Sequence, residues 1–189
     1  NLRAMAPAVF LALAAGVSLA QDDTVWLTLT EQTLDFYKRD QYADGIRVAA
    51  RALKIAEENW PDQPRVATSL SNLARLYVAQ GQYEAVEPPL RRALEIDERT
   101  VGKEHPAYAR DLRVLAQLEE IRGRYDESES LQKKALEILE NARGPNHPDV
   151  ALVLNDLAGF YAMRGRFEES EELYRRALTI HEKALDPGD

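Results

Sequence analysis

VATSLSNLARLYVAQGQYEAVEPPLRRALEIDERTV, residues 66–101, reads as two amphipathic helices joined by a tight turn at Gly81. Leu70, Leu73, Ala74 and Tyr77 fall at i, i+3, i+4 and i+7, one face of a helix. In the second half Val86, Leu90, Ala93, Leu94 and Asp97 keep that spacing and are apolar until the last. The chain then writes the unit again. Pro64, Pro106 and Pro148 stand 42 residues apart (106 − 64 and 148 − 106), and Gly81, Gly123 and Gly165 keep the same step. So do Tyr83, Tyr125 and Phe167; Leu73, Leu115 and Leu157; Ala93, Ala135 and Ala177; and Ile96, Ile138 and Ile180. Six sets of positions in one register define a repeat, and a step of this size means helical pairs that stack on their neighbours.

Working outward, the register divides residues 21–189 into four units of about 24–63, 64–105, 106–147 and 148–189. The first is divergent. Tyr42 aligns with Tyr83 and Ile55 with Ile96 at a step of 41, Asp40 stands in the turn where the others have Gly, Gln32 replaces the inward Leu and Thr33 the small Ala. Terminal units of a stacked array are commonly atypical, and Asp tolerates the left-handed turn, less well than Gly does. Pro88-Pro89 interrupts the second unit, so its second helix is expected to start late or bend at its N-terminus. Gln132 is a polar intrusion in the slot of Leu90 and Tyr174. Residues 185–189 align with the linker 143–147, just before the Pro of a fifth unit, and no polar capping helix follows. Two readings stay open there: an array cut from a longer one, and a last face covered by another molecule.

Lys plus Arg total 24 and Asp plus Glu 32, a net charge of −8, which argues against a general nucleic-acid binder because that needs a basic face. The chain has no cysteine, excluding disulfides, thiolate metal sites and cysteine nucleophiles.

Residues 1–20, NLRAMAPAVFLALAAGVSLA, differ from the rest. Arg3 precedes an uncharged run rich in Ala, Leu and Val that ends in Ser18-Leu19-Ala20, the layout of a secretory signal. The run is short for a membrane span, which takes about 20 apolar residues. An export signal implies a periplasmic or secreted protein. The alternative is an uncleaved apolar helix packed on the array or on a neighbour, in a cytoplasmic protein.

His105 and His147 repeat at the 42 step, but each precedes a Pro in a linker where the first unit has Gln63. They read as structural turn residues rather than metal ligands, since one unit apart they stand too far from each other to share an ion. Acidic clusters such as Asp126-Glu127-Glu129 open second helices, where the helix dipole favours negative charge. No phosphate loop, nucleophile motif or paired catalytic acids occur. No cofactor, metal site or enzymatic activity is expected.

The pattern carried by SLSNLARLYVAQGQYEAVEPPLRRALEI and VLNDLAGFYAMRGRFEESEELYRRALTI resembles the tetratricopeptide repeat. The 42-residue step, with EHPAYARDL and NHPDVALVL, is similar to the longer variant of kinesin light chains and many bacterial proteins. The resemblance implies an all-α fold, a right-handed superhelical solenoid of antiparallel helix pairs. It also implies that first helices line a concave groove. On the helical spacing, the positions left free there include Ser71, Asn72 and Arg75, then Arg110, Arg113, Val114 and Gln117, then Asn155 and Asp156. Asn72, Arg75, Arg110, Arg113, Gln117 and Asn155 are the candidate peptide-binding residues. Asn can clamp a peptide backbone through donor and acceptor together, and the three arginines suit an acidic partner. The alternative is that the arginines pair with Asp111, Glu119 or Glu120 as ordinary solvated charges. The expected function is a non-enzymatic scaffold that binds a partner peptide. Two alternatives are a self-assembling repeat protein that forms homo-oligomers through uncapped end helices, and the interaction domain of a larger enzyme.

Overall fold

The computed structural model describes residues 6–185. Among them it holds eight α-helices and no strand: α1 Ala6–Lys38, α2 Tyr42–Asn59, α3 Pro64–Ala79, α4 Glu87–Thr100, α5 Pro106–Ile121, α6 Tyr125–Arg143, α7 Pro148–Met163 and α8 Phe167–Leu185. Successive pairs form four helical hairpins that stack into an all-α solenoid. Arg3 and residues 186–189, on which the export and fifth-unit expectations partly rest, lie outside the described residues.

Local chemistry sets the helix ends. Pro64, Pro106 and Pro148 each open a first helix, where a missing N–H costs nothing. The hairpin turns need a left-handed residue, which Gly81, Gly123 and Gly165 supply at φ 77, 75 and 75°. In the first hairpin Asp40 takes the same conformation at φ 58°. The histidine linkers have a definite task. His105 Nδ1 accepts from the Ala107 N–H at 3.1 Å and His147 Nδ1 from the Asp149 N–H at 3.1 Å, so both rings are N-caps. The second helix of the second unit starts late, as Pro88-Pro89 require. A 3-10 turn at Tyr83–Ala85 precedes α4, and both prolines fall in its first turn.

Packing is continuous across the units. Leu90 of α4 packs with Ala74 of α3 and with Val114 and Leu118 of α5. Ile138 and Leu139 of α6 share one cluster with Leu112 of α5, Val150 and Leu154 of α7, and Ala177 and Ile180 of α8. Each such Leu or Ile contributes about 1.5–3 kcal/mol when fully buried. The small-residue slot of the second helices holds Gly45, Val86, Ser128 and Ser170. At Gly45 the helices approach so closely that a Cβ would lie 2.8 Å from Leu76 Cδ2. The two serines there are buried with their hydroxyls partnered. Ser170 Oγ donates to the Ala158 carbonyl at 2.8 Å, and Ser128 Oγ accepts from Gln132 Nε2 at 3.2 Å.

The divergent first unit is fastened to the second by α1. Trp26 Nε1 donates to Ser69 Oγ at 2.9 Å, and Arg65 lies 4.6 Å from the Trp60 ring while pairing with Asp23 at 2.8 Å. Thr33 fills its small-residue position by donating its hydroxyl to the Leu29 carbonyl at 2.7 Å. The α1 backbone runs unbroken from the apolar segment into this unit. No helix among the described residues is long and apolar enough to cross a membrane.

Candidate peptide groove

Four first helices, α1, α3, α5 and α7, and the second helices α4 and α6 contribute side chains to one concave cavity of about 670 Å³. Of the six candidate residues, Arg75, Arg110, Arg113 and Gln117 line it. Asn72 and Asn155 do not. Asn72 is buried, as is Ser71, so the free face of the first helices is narrower than the helical spacing implied. The reason is steric. Each inner first helix meets its own second helix and the helices of adjoining units, and only a thin stripe stays open.

The three arginines differ in their partners. Arg113 Nε and Nη2 donate to Asp156 Oδ2 at 2.9 and 2.5 Å, a pair that bridges α5 and α7. Arg110 Nε stands 3.5 Å from Asp111 Oδ1, an ion pair without hydrogen-bond geometry. Arg75 lies over Tyr37, its guanidinium carbon 4.7 Å from the ring centroid. Burial holds the Arg75 pKa below its ordinary value. The Arg113 and Arg110 charges add to this, and Tyr37 opposes it. Arg110 therefore has one of the partners that the alternative named, though Asp111 is buried rather than solvated; Arg113 pairs with Asp156 instead, and Arg75 has no carboxylate partner among the described residues.

Sequence reasoning named Asp97 as the end of an apolar stripe and Asp111 as an arginine partner, but placed neither at the site. Asp97 lines the cavity and is 1% exposed, with Oδ2 unpaired. Asp111 is wholly buried and paired with Arg110 at 3.5 Å. Burial pushes the Asp97 carboxyl up against the pull of Arg110 and His105. Burial likewise lifts Asp111 to about 6, with Arg110 opposing and the neighbouring Asp97 charge reinforcing the rise. The signal was present in the sequence. Asp97 ends an otherwise apolar stripe and occupies the slot of Leu139, while Asp111 occupies that of Val153.

Elsewhere the charged groups brace the stack. Buried Glu119 receives Arg122 at 3.3 Å and also Arg124, and Arg122 reaches Glu87 at 2.7 Å. Glu129 accepts from Tyr161 at 2.9 Å and from Arg166 at 2.9 Å, tying α6 to the last hairpin. Among the described residues no group of three or more His, Cys, Asp or Glu is placed to hold a metal ion.

Stacked helical hairpins around an open groove define a helical-repeat solenoid. The tetratricopeptide repeat family matches residues 34–99 and 112–183, and the chain belongs to that family. Solved structures with the same fold include BtubC (BKLC) from P. vanneervenii, with 23% identity over 87% of this chain and 66% of that one and a TM-score of 0.67. A Podosopora anserina protein of kinesin-light-chain type, with nearly identical TPR-like repeats, is 22% identical over 84% of this chain and 75% of its own, with a TM-score of 0.64. A Rap protein complexed with Competence and Sporulation Factor is 18% identical over 88% of this chain and 45% of its own, with a TM-score of 0.75. The chain thus spans just under two thirds of the BtubC chain and under half of the Rap chain. No curated protein matches it in sequence. Proteins of this family are generally non-enzymatic and take protein partners.

Proposed function

We propose that the chain is a non-enzymatic module that receives an extended, acidic segment of a partner protein in the groove along α3, α5 and α7. Arg75 carries this reading. A partly buried guanidinium held in place by an aromatic ring, with no carboxylate of its own, is predisposed to accept one from a ligand. The Rap protein of the same fold is complexed with Competence and Sporulation Factor, which supports a partner-binding role for the fold. The test is selection from a random-peptide library displayed against the full chain, followed by titration of the selected peptides. Peptides rich in Asp or Glu are expected, and Arg75→Glu should abolish their binding with helicity unchanged. Selected peptides without acidic residues, or binding indifferent to Arg75→Glu, would remove the reading.

A second reading, self-association through α8, rests on a different observation. Leu90 on α4 is 1% exposed because α5 covers it, whereas its counterpart Tyr174 on α8 is 45% exposed and the neighbouring Leu178 57%. Light scattering across a concentration series tests it. A constant monomer mass would end it, and a dimer lost on Leu178→Glu would support it. Residues 1–20 are read as an export signal that places the module outside the cytoplasm. N-terminal sequencing of protein from its source should begin after Ala20, and an intact Asn1 would refute this.

A further inference from the structure

The most exposed large apolar side chains among the described residues, Phe167, Met163 and Leu178, all belong to the last hairpin. On α8 the exposed residues Phe167, Glu171, Tyr174 and Leu178 and the half-buried His181 follow one another at steps of four, three, four and three. That spacing draws a single stripe along one side of a helix, the seam by which two helices pair. Tyr174 and Leu178 hold the slots of Leu90 and Leu94, which on α4 pack with Val114 and Leu118 of α5.

A second copy of the chain has two ways to cover the stripe. In a head-to-tail stack, its α1 would lie on α8 as α5 lies on α4. The slots of Val114 and Leu118, traced back two units, hold Glu31 and Asp35. Both are exposed, and Asp35 pairs with Arg39 at 3.0 Å. Setting them on Tyr174 and Leu178 would take two carboxylates out of water against apolar groups, a cost the apolar burial does not offset.

In a two-fold pair α8 meets α8, and the stripe is complementary to itself. With the helices antiparallel and Tyr174 opposite Leu178 of the second copy, Glu171 comes opposite His181, since each lies three residues outside that centre. Symmetry makes both contacts twice: an aromatic ring on an aliphatic side chain, and a carboxylate that accepts from an imidazole N–H. Glu171 also holds Arg175 at 2.5 Å in an exposed pair, so its charge stays partnered. A shift of one heptad sets Glu171 against Tyr174, or Leu178 against His181, and both matches are lost.

We propose that the chain forms an antiparallel two-fold dimer through α8, with Tyr174 against Leu178 and Glu171 against His181 of the second copy. The inference rests on the self-association reading above and adds its symmetry and register. A contact of this kind closes at two chains, whereas a head-to-tail contact goes on adding them. None of the residues lining the cavity lies on α8, so the pair leaves both cavities open.

The chain contains no cysteine, so introduced cysteines report the geometry directly. Positions 171 and 181 of one helix are about 15 Å apart, too far for a disulfide, which needs Cα atoms within about 7 Å. Glu171→Cys and His181→Cys are made singly in the full chain and oxidised alone and mixed. The wild-type mass is followed by light scattering across a concentration series. Wild type should level off at twice the monomer mass. Neither variant should cross-link with itself, and the mixture should yield a covalent dimer that disappears when both chains also carry Leu178→Glu. A dimer lost on Leu178→Glu but giving no mixed disulfide would overturn the register and leave self-association standing. A mass that keeps rising with concentration would overturn the two-fold pair in favour of a stack. A monomer at every concentration would overturn both.

Discussion

The Arg75 guanidinium lies 4.7 Å from the centroid of the Tyr37 ring, so a groove side chain of the second unit is held by the first. The divergent unit thus supports the groove rather than merely ending the stack. An arginine fixed in this way loses less rotamer freedom when it binds. Tyr37→Ala should therefore weaken an acidic peptide although Tyr37 need not touch it. The expected loss is about 0.5–2 kcal/mol, the range of a partly desolvated cation–π contact. Titration calorimetry checks it, and equal affinities would show that the ring does not position Arg75.

Asp97 should oppose stability. Its carboxyl is buried, with Oδ2 unpaired, in a slot that Leu139 fills one unit later. Asp97→Leu is expected to stabilise the fold by about 1–3 kcal/mol, since removing an unpaired buried polar group recovers its desolvation cost. Urea denaturation measures this. A lower midpoint in the variant would mean that Asp97 is satisfied within the fold.

The carboxyl of Asp111 gives stability a definite pH dependence. Its folded pKa, about 6, exceeds the ordinary Asp value of about 3.9. The folded state therefore binds more protons than the unfolded one between those values, and stability rises as the pH falls from about 6 towards 4. The penalty is fully present above pH 6 and is worth about 2–3 kcal/mol. Asp97 is shifted the same way and adds to the trend. Urea midpoints at pH 5 and pH 7.5 test it. Wild type should be more stable at pH 5, and Asp111→Asn should flatten the difference. A wild type more stable at pH 7.5 would contradict the assignment.

His105 and His147 should behave as caps. His147→Ala is expected to cost about 1 kcal/mol, and His147→Asp to restore most of it, because an Asp oxygen can accept the same N–H. A chelator should leave the melting temperature unchanged. A chelator-induced drop would revive the metal reading of these rings.

The fold was legible because its punctuation repeats. Proline opens each of the first helices α3, α5 and α7, glycine turns their hairpins, and the late start of α4 follows from Pro88-Pro89 alone. The groove was legible only in part. Helical spacing identifies which residues share a face, but not how much of that face a neighbouring unit covers. Arg75 and Gln117 line the cavity because they stand on the middle of the stripe, while Asn72 is buried because it stands at the edge. Asp97 was visible as a break in an apolar pattern. Arg110, whose charge acts on that carboxyl, belongs to the next unit, and only folding brings the two near each other.

The apolar clusters described above do not respect the repeat. Leu90 of the second unit is buried by Val114 and Leu118 of the third, and Ile138 of the third shares its surroundings with Ala177 of the fourth. A cut in the linker at Gly102 would strip Leu90 and Val114 of each other and leave two fragments with raw faces. The chain can be written as four copies, but it cannot be severed into them.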